Sequence, residues 1–173
     1  MASTYVHIGD LKEIPEDAPP TLHFLRSFIS ALDGTSHTTR SLHFSPSATI
    51  KTNADAPLPF AGMAKMFEMR DQMTASFSHT VNRVWIIAEA EDKVTLLMDW
   101  SSTTILKGKE DKPAFVAEFA ALKLGKAGTE FDEEVQGPRG VNGFWIEKVE
   151  NWMDPSPVQE ARKEILEKAA PKV

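Results

Sequence analysis

The chain contains no cysteine. That excludes a disulfide framework, a thiol nucleophile and thiolate-ligated zinc, and it leaves a protein indifferent to the redox state of its compartment. No N-x-Ser/Thr sequon, GxSxG elbow or HExxH pair occurs in the sequence, so the commonest serine-hydrolase and zinc-protease signatures are missing. His37 and His43 stand six apart, do not share a helical face and have no matching carboxylate cluster, so no metal site is expected. GPRGVNG neither follows a strand nor opens a helix, which removes a dinucleotide fingerprint or P-loop. No organic cofactor is expected either. Lys and Arg number 19 against 25 acidic residues, for a formal net charge of -6 and a pI near 5.4. The basic residues are scattered, which argues against a nucleic-acid surface. No stretch is apolar for long enough to span a bilayer, and MASTYVHIGDLKE lacks a basic, apolar leader. The expectation is a soluble, cytoplasmic protein without nucleic-acid or membrane partners.

What is present is enough apolar residue for one core: 42% of 173 residues. The expected organisation is an N-terminal arm over 1–18, a single cavity domain over 19–155 and a C-terminal helical tail over 156–173. Leu22, Leu25, Ile29 and Leu32 recur at three-and-four spacing, widened by Phe24 and Phe28, and predict a helix ending near Asp33-Gly34. A short helix over about 37–44 leads into the strand ATIKTN. In PFAGMAKMFEMRDQM, residues Phe60, Met63, Met66, Phe67, Met69 and Met73 form a soft, sulfur-rich helical face. PAFVAEFAALKL has helix-favouring composition but follows a long strand, and is taken as a strand. The stretch from Gly125 to Gly143 is rich in glycine and charge, and reads as a flexible excursion or lid. GFWIEKVENWMD closes the sheet, and Ser156, Pro157 and Gln159 suit the start of a last helix.

SFSHTVNRVWIIAEAEDKVTLLMDWSSTTIL reads as two long strands joined by a turn with Glu91 and Asp92 at its tip. An unbroken register then sets Trp85 opposite Met98, Arg83 opposite Trp100, His79 opposite Thr104 and Phe77 opposite Leu106. One face is large and apolar, with His79, Arg83, Ser102 and Thr104 as its polar exceptions. The other carries Thr80, Asn82, Thr95, Asp99, Ser101 and Thr103, because successive strand residues point to opposite sides.

His79 is the leading candidate for chemistry, since imidazole gives and takes protons near neutrality and an apolar face tunes it further. Glu118, among Phe115, Val116, Phe119 and Ala120, is its candidate partner or a second acid if it points inward. Arg83, Ser102 and Thr104 are placed to hold substrate oxygens, with Arg83 stacking on Trp100 or clamping an anion. Trp85, Met98 and Trp100, with Phe28, Met66 and Phe67 from the helices, would line an apolar cavity. Each of these apolar residues also has a plain core reading.

The element order, WIIAEAEDKV followed by a long strand, and the closing WIEKVENWMDP resemble the nuclear transport factor 2-like superfamily, in particular its SnoaL-like branch, over roughly residues 20–155. The resemblance implies an α+β fold: a strongly curved antiparallel or mixed sheet wrapped around N-terminal helices as a cone-shaped α+β barrel with an apolar cavity. Against scytalone dehydratase, a member of that superfamily, His79 lies as far before the hairpin turn as the strand histidine there. The enzyme's second histidine would fall on Thr104, its asparagine near Glu118, and its two tyrosines about Leu32 and Thr52, whereas the one tyrosine here is Tyr5. The implied function is cofactor-free proton transfer, as isomerisation, cyclisation or dehydration of a bulky apolar polyketide- or terpenoid-like intermediate of a natural-product pathway. The alternative is a non-catalytic ligand-binding or dimerising module. The resemblance also implies a homodimer through the outer face of the sheet.

Overall fold

The apolar stripe read from the sequence forms helix α1 (Pro20–Asp33), which buries Leu22, Phe24, Leu25, Phe28 and Ile29. Pro20 sits in its first turn, where the missing N–H costs no helical bond. These coordinates come from a computed structural model that describes residues 3–90 and 92–169. Next come α2 (His37–Ser41), β2 (Phe44–Thr52), β3 (Leu58–Pro59) and α3 (Ala64–Met73), the last preceded by a 3-10 turn that buries Phe60. Three long strands then run in succession, β4 (Thr74–Ala90), β5 (Lys93–Leu106) and β6 (Ala114–Lys126). PAFVAEFAALKL is therefore a strand, because alternate burial of Ala114, Val116, Glu118, Ala120, Leu122 and Leu124 outweighs its helix propensity.

With β9 (Phe144–Met153) and the N-terminal strand β1 (Ser3–Ile8), they make a seven-stranded sheet in the order β1-β4-β5-β6-β9-β2-β3. All neighbours are antiparallel except β2 and β9. Val84, Ile86, Leu96, Met98, Trp100, Ala120, Leu122, Leu124 and Ile146 on the inner face pack with α1 into one core. Each fully buried side chain of this size contributes about 1.5–3 kcal/mol. The sheet is the mixed, mostly antiparallel one expected, and it ends at two edges, β1 and β3, without closing on itself.

The hairpin register departs from the expected one at three places, one of them between Thr74 and Ser76 at the far end of the hairpin from its turn. Ala90 faces Lys93 as anticipated, with Glu91 itself outside the described residues. An extra residue on β4 between Ala88 and Ala90, and another between Val81 and Arg83, each shift the pairing by one. Since the side-chain period is two, each such bulge exchanges the faces. The pairs formed are Trp85–Leu97, Arg83–Asp99, His79–Ser102 and Phe77–Thr104. Between the bulges Val84 and Ile86 occupy the interior and are buried. Arg83 and Trp85, expected to line the cavity, lie on the outer face, where the Arg83 guanidinium sits 5.5 Å from the Trp85 ring centroid. The second bulge restores the phase, so Val81 and His79 return to the inner side with Met98, Trp100, Ser102 and Thr104.

Met66 is a further correction, since it stands 49% exposed, with Met69 at 46%. Phe67 on the same helix packs partly against the core. The excursion from Gly125 carries a two-stranded ribbon, β7 (Phe131–Asp132) with β8 (Gly137–Pro138). It is tied back by Arg139, which bonds Asp132 and the Ser41 carbonyl, and by the Gly140 N–H to the Leu42 carbonyl at 2.8 Å. Helix α4 (Ser156–Ala169) starts at Ser156, whose N–H is accepted by the Asp154 carboxylate.

The observed register orders two substitutions. Met98→Ala, at 0% exposure, should cost about 2–5 kcal/mol in chemical denaturation. Arg83→Ala should stay within about 0.5 kcal/mol. An unbroken register would bury Arg83 and make the second change costly as well.

Candidate active site

His79 lies where β4 passes the C-terminal end of α1. Its ring Nδ1 is 2.5 Å from Asp33 Oδ1, and its backbone N–H donates to Asp33 Oδ2 at 3.1 Å. Asp33 is the last residue of α1, where the negative pole of the helix disfavours a carboxylate. The two N–H groups of His79 offset that cost. Asp33 thereby acts as an acceptor at Nδ1, which selects the tautomer protonated there and leaves Nε2 with its lone pair. The ring stacks on the Trp100 indole at 4.4 Å with planes 9° apart, and the edge of Phe77 meets it at 4.8 Å. The side chain is 4% exposed, whereas Asp33 is 25% exposed. The pair therefore meets solvent on its aspartate side.

Opposite His79 on β5 stands Ser102. The Ser102 hydroxyl donates to Glu118 Oε1 at 2.6 Å, and the Asn151 amide donates to Glu118 Oε2 at 2.7 Å. Glu118 is thus inward and buried at 8% exposure, held by Ser102 and Asn151 and not by His79 or Arg83. Four adjacent strands bring polar side chains to the inner face: His79 on β4, Ser102 and Thr104 on β5, Glu118 on β6 and Asn151 on β9. Two polar atoms along this line, Trp100 Nε1 and Asn151 Oδ1, are buried without a hydrogen-bond partner.

Of the other expected site residues, Thr104 shares this face and is buried, while Met98 and Phe28 are core. Asp33 and Asn151 were not singled out from the sequence. The signal for Asp33 was available in retrospect: an acidic residue at a helix C-terminus opposes the dipole and calls for a partner. Asn151 is in phase with the inward Val149 and Met153. The residue paired with His79 is Ser102, where an unbroken register would have set Thr104. Tyr5 lies on the edge strand β1.

Two clefts open elsewhere on the surface. One of about 390 Å³ lies between Pro46, Gly128, Phe131, Arg139 and Trp145. The other, of about 540 Å³, lies over Arg26, Ser27, Ser30, Thr39 and Val141. None of the residues expected to line the chamber borders either cleft. Next to the second cleft, His43 is buried, with Nδ1 donating to the Thr39 carbonyl at 3.0 Å and Nε2 accepting from Ser27 at 2.9 Å. Burial lowers its pKa from the ordinary 6.5. Among the described residues no cluster of His, Asp and Glu could hold a metal ion, and no helix is long and apolar enough to cross a membrane.

No family model and no curated protein sequence matches the chain. Solved structures do. A protein from Novosphingobium aromaticivorans, described provisionally as a scytalone dehydratase, superposes with a TM-score of 0.62 at 10% identity, over 78% of this chain and 82% of that one. The BvnE pinacolase of Penicillium brevicompactum superposes with a TM-score of 0.55 at 12% identity, over 87% and 97%. The hexachlorocyclohexane dehydrochlorinase LinA type 3 of Novosphingobium barchaimii gives 0.56 at 11% identity, over 76% and 82%. The chain has the nuclear transport factor 2-like fold that these structures share.

The His43 environment sets a pH dependence of stability. A histidine held neutral in the folded state contributes fully above the unfolded value near 6.5, and that contribution is lost as pH falls from there toward the lower native value. Thermal melts from pH 7.5 to 5 should therefore show a falling midpoint, and His43→Gln should flatten the fall. An equally steep fall in His43→Gln would assign it to other groups.

Proposed function

We propose that the chain is an enzyme of small-molecule proton-transfer chemistry in which His79, oriented by Asp33, is the base. The observation that carries this reading is the pair of hydrogen bonds from His79 to Asp33 at 2.5 and 3.1 Å. Nε2 takes a proton from the bound molecule, and the imidazolium that forms is stabilised by the adjacent carboxylate and by the negative end of α1. Trp100 holds the ring plane. Glu118, whose two oxygens accept from Ser102 and Asn151, is placed to accept from a substrate hydroxyl, with Thr104 on the same face for a substrate oxygen. Arg83 and Trp85 have no part in this site.

A dehydratase and a dehydrochlorinase of the same fold, by their names, remove water and hydrogen chloride. Both reactions need a base at a C–H bond while a leaving group departs. We extend to this chain the same class of step, as dehydration, isomerisation or cyclisation, on a bulky apolar substrate of the polyketide or terpenoid kind. It uses neither metal nor organic cofactor. The apolar surroundings of His79, made of Phe77, Trp100 and Val81, support the substrate's character. A non-catalytic binding module is the competing reading, favoured by the complete burial of Met98 and Val84 behind the site.

Turnover of a panel of carbonyl-bearing polycyclic compounds, with binding measured in parallel, separates the two. His79→Ala should lower kcat by about 10²–10⁴-fold with the dissociation constant changed little, and Asp33→Asn should act in the same direction. A His79→Ala protein that keeps its turnover, or one that changes only affinity, would favour the binding module.

We propose in addition that the chain pairs with a second copy through the outer face of the sheet. Phe115, Phe119 and Trp152 are 60%, 40% and 44% exposed there. Phe119 bridges Trp85 and Trp152 with ring centroids 6.5 and 6.1 Å away. Light scattering behind size exclusion should give twice the chain mass at micromolar concentration, and Phe119→Lys should return it to the monomer. A wild-type monomer under those conditions rejects the dimer.

A further inference from the structure

Asp33 is held in place by a second set of charged residues that touch neither His79 nor Asp33 by hydrogen bond. Helix α1 has no basic residue in its last turn, so its terminal carbonyls need partners from elsewhere. They find them on α2 and α3. Arg70 donates from Nη1 to the Leu32 carbonyl at 2.8 Å and from Nη2 to the Gly34 carbonyl at 3.0 Å. One guanidinium therefore grips the backbone on both sides of Asp33. Arg40 also donates to the Gly34 carbonyl. Asp71 joins the two cations, accepting from Arg70 at 2.6 and 2.9 Å and from Arg40 at 3.0 and 3.3 Å. Arg40 is 2% exposed, Arg70 16% and Asp71 18%.

Arg70 reaches the other half of the pair as well. Its guanidinium carbon lies 4.5 Å from the centroid of Phe77, the ring whose edge meets His79. Phe67 lies against both cations, 4.7 Å from Arg40 and 5.6 Å from Arg70. Two positive charges at the negative pole of α1 are electrostatically favourable there, and a planar fork suits two carbonyls two residues apart in a way that an ammonium does not.

We infer that Arg70 and Asp71, with Arg40, are positioning residues that set the orientation of Asp33 toward His79 and hence the tautomer of the imidazole. This deepens, and rests on, the Asp33–His79 reading above. The network would be dispensable for a helix end that merely needed capping, since solvent or a single side chain satisfies terminal carbonyls elsewhere. Here α1 is gripped at Leu32 and Gly34 together, with Asp33 between them.

The test is the long-range proton–nitrogen NMR spectrum of the histidine rings in the full chain, with the His79 signals assigned through His79→Gln. The wild type should show His79 as a single tautomer protonated at Nδ1. Arg70→Lys, which keeps the charge and removes the fork, and Asp71→Asn should both shift His79 toward a mixture of the two tautomers. The signals of His7, His23 and His43 should stay close to wild type. Asp33→Asn gives the full extent of the change. If Asp33→Asn alters His79 while Arg70→Lys and Asp71→Asn leave it as in the wild type, the positioning role is overturned and the pair stands. If Asp33→Asn leaves His79 unmoved, the pair itself is overturned. Should Arg70→Lys fail to fold, Asp71→Asn decides the question.

Discussion

The hydrogen bond between Asp33 and His79 joins the end of a helix to the inner face of a sheet, and the arrangement of the site depends on it. Asp33 alone at the foot of α1 would be a carboxylate opposed by the helix dipole. His79 alone among Phe77, Trp100 and Val81 would be a polar ring with no anchor. Together each supplies what the other lacks, since the carboxylate accepts both the ring and the backbone N–H of the same residue. The price of this arrangement is that the strand must deliver His79 inward at one height along α1. The bulge between Val81 and Arg83 makes that delivery, because without it the ring would fall on the face where Arg83 and Asp99 now stand.

Much of this was legible in the sequence, and the illegible part has a common cause. The α1 stripe and the two strands of the hairpin follow from periodicity and from which residues suit a pleated, half-buried surface. PAFVAEFAALKL, by contrast, is a strand by its position after a long strand and against its helix-favouring composition, and its sequence leaves open which way Glu118 points. His79 was identifiable as the imidazole on an apolar strand, and Glu118 as a carboxylate among apolar neighbours. The bulges were not identifiable, since neither Glu89 nor Asn82 is a glycine and a period-two pattern does not show where one residue is skipped. Two such skips cancel for His79 but not for Arg83 and Trp85. Asp33 was read as the end of a helix, which it is, and its second role depends on a contact 46 residues away along the chain.

The remaining inner polar residues form a line across the sheet rather than a cluster around one atom. Ser102 and Asn151 each donate to one oxygen of Glu118, which satisfies that buried carboxyl group within the protein. Trp100 Nε1 and Asn151 Oδ1 stay unpartnered beside it. An apolar face with a few fixed polar groups is the usual make-up of a small-molecule site. The likeness to a pinacolase and a dehydrochlorinase extends over most of each chain at 11–12% identity, so it describes a shared backbone. The chemistry open to this chain is set by its own residues, His79 and Asp33 first among them.

A neutron crystal structure of the deuterium-exchanged protein at neutral pH would locate the proton between Asp33 and His79 directly. The expected result is a deuteron on Nδ1 of His79 directed at the Asp33 carboxylate, a bare Nε2, and the ring stacked on Trp100. A ring turned away from Asp33, or one whose bridging nitrogen carries no deuteron, contradicts it.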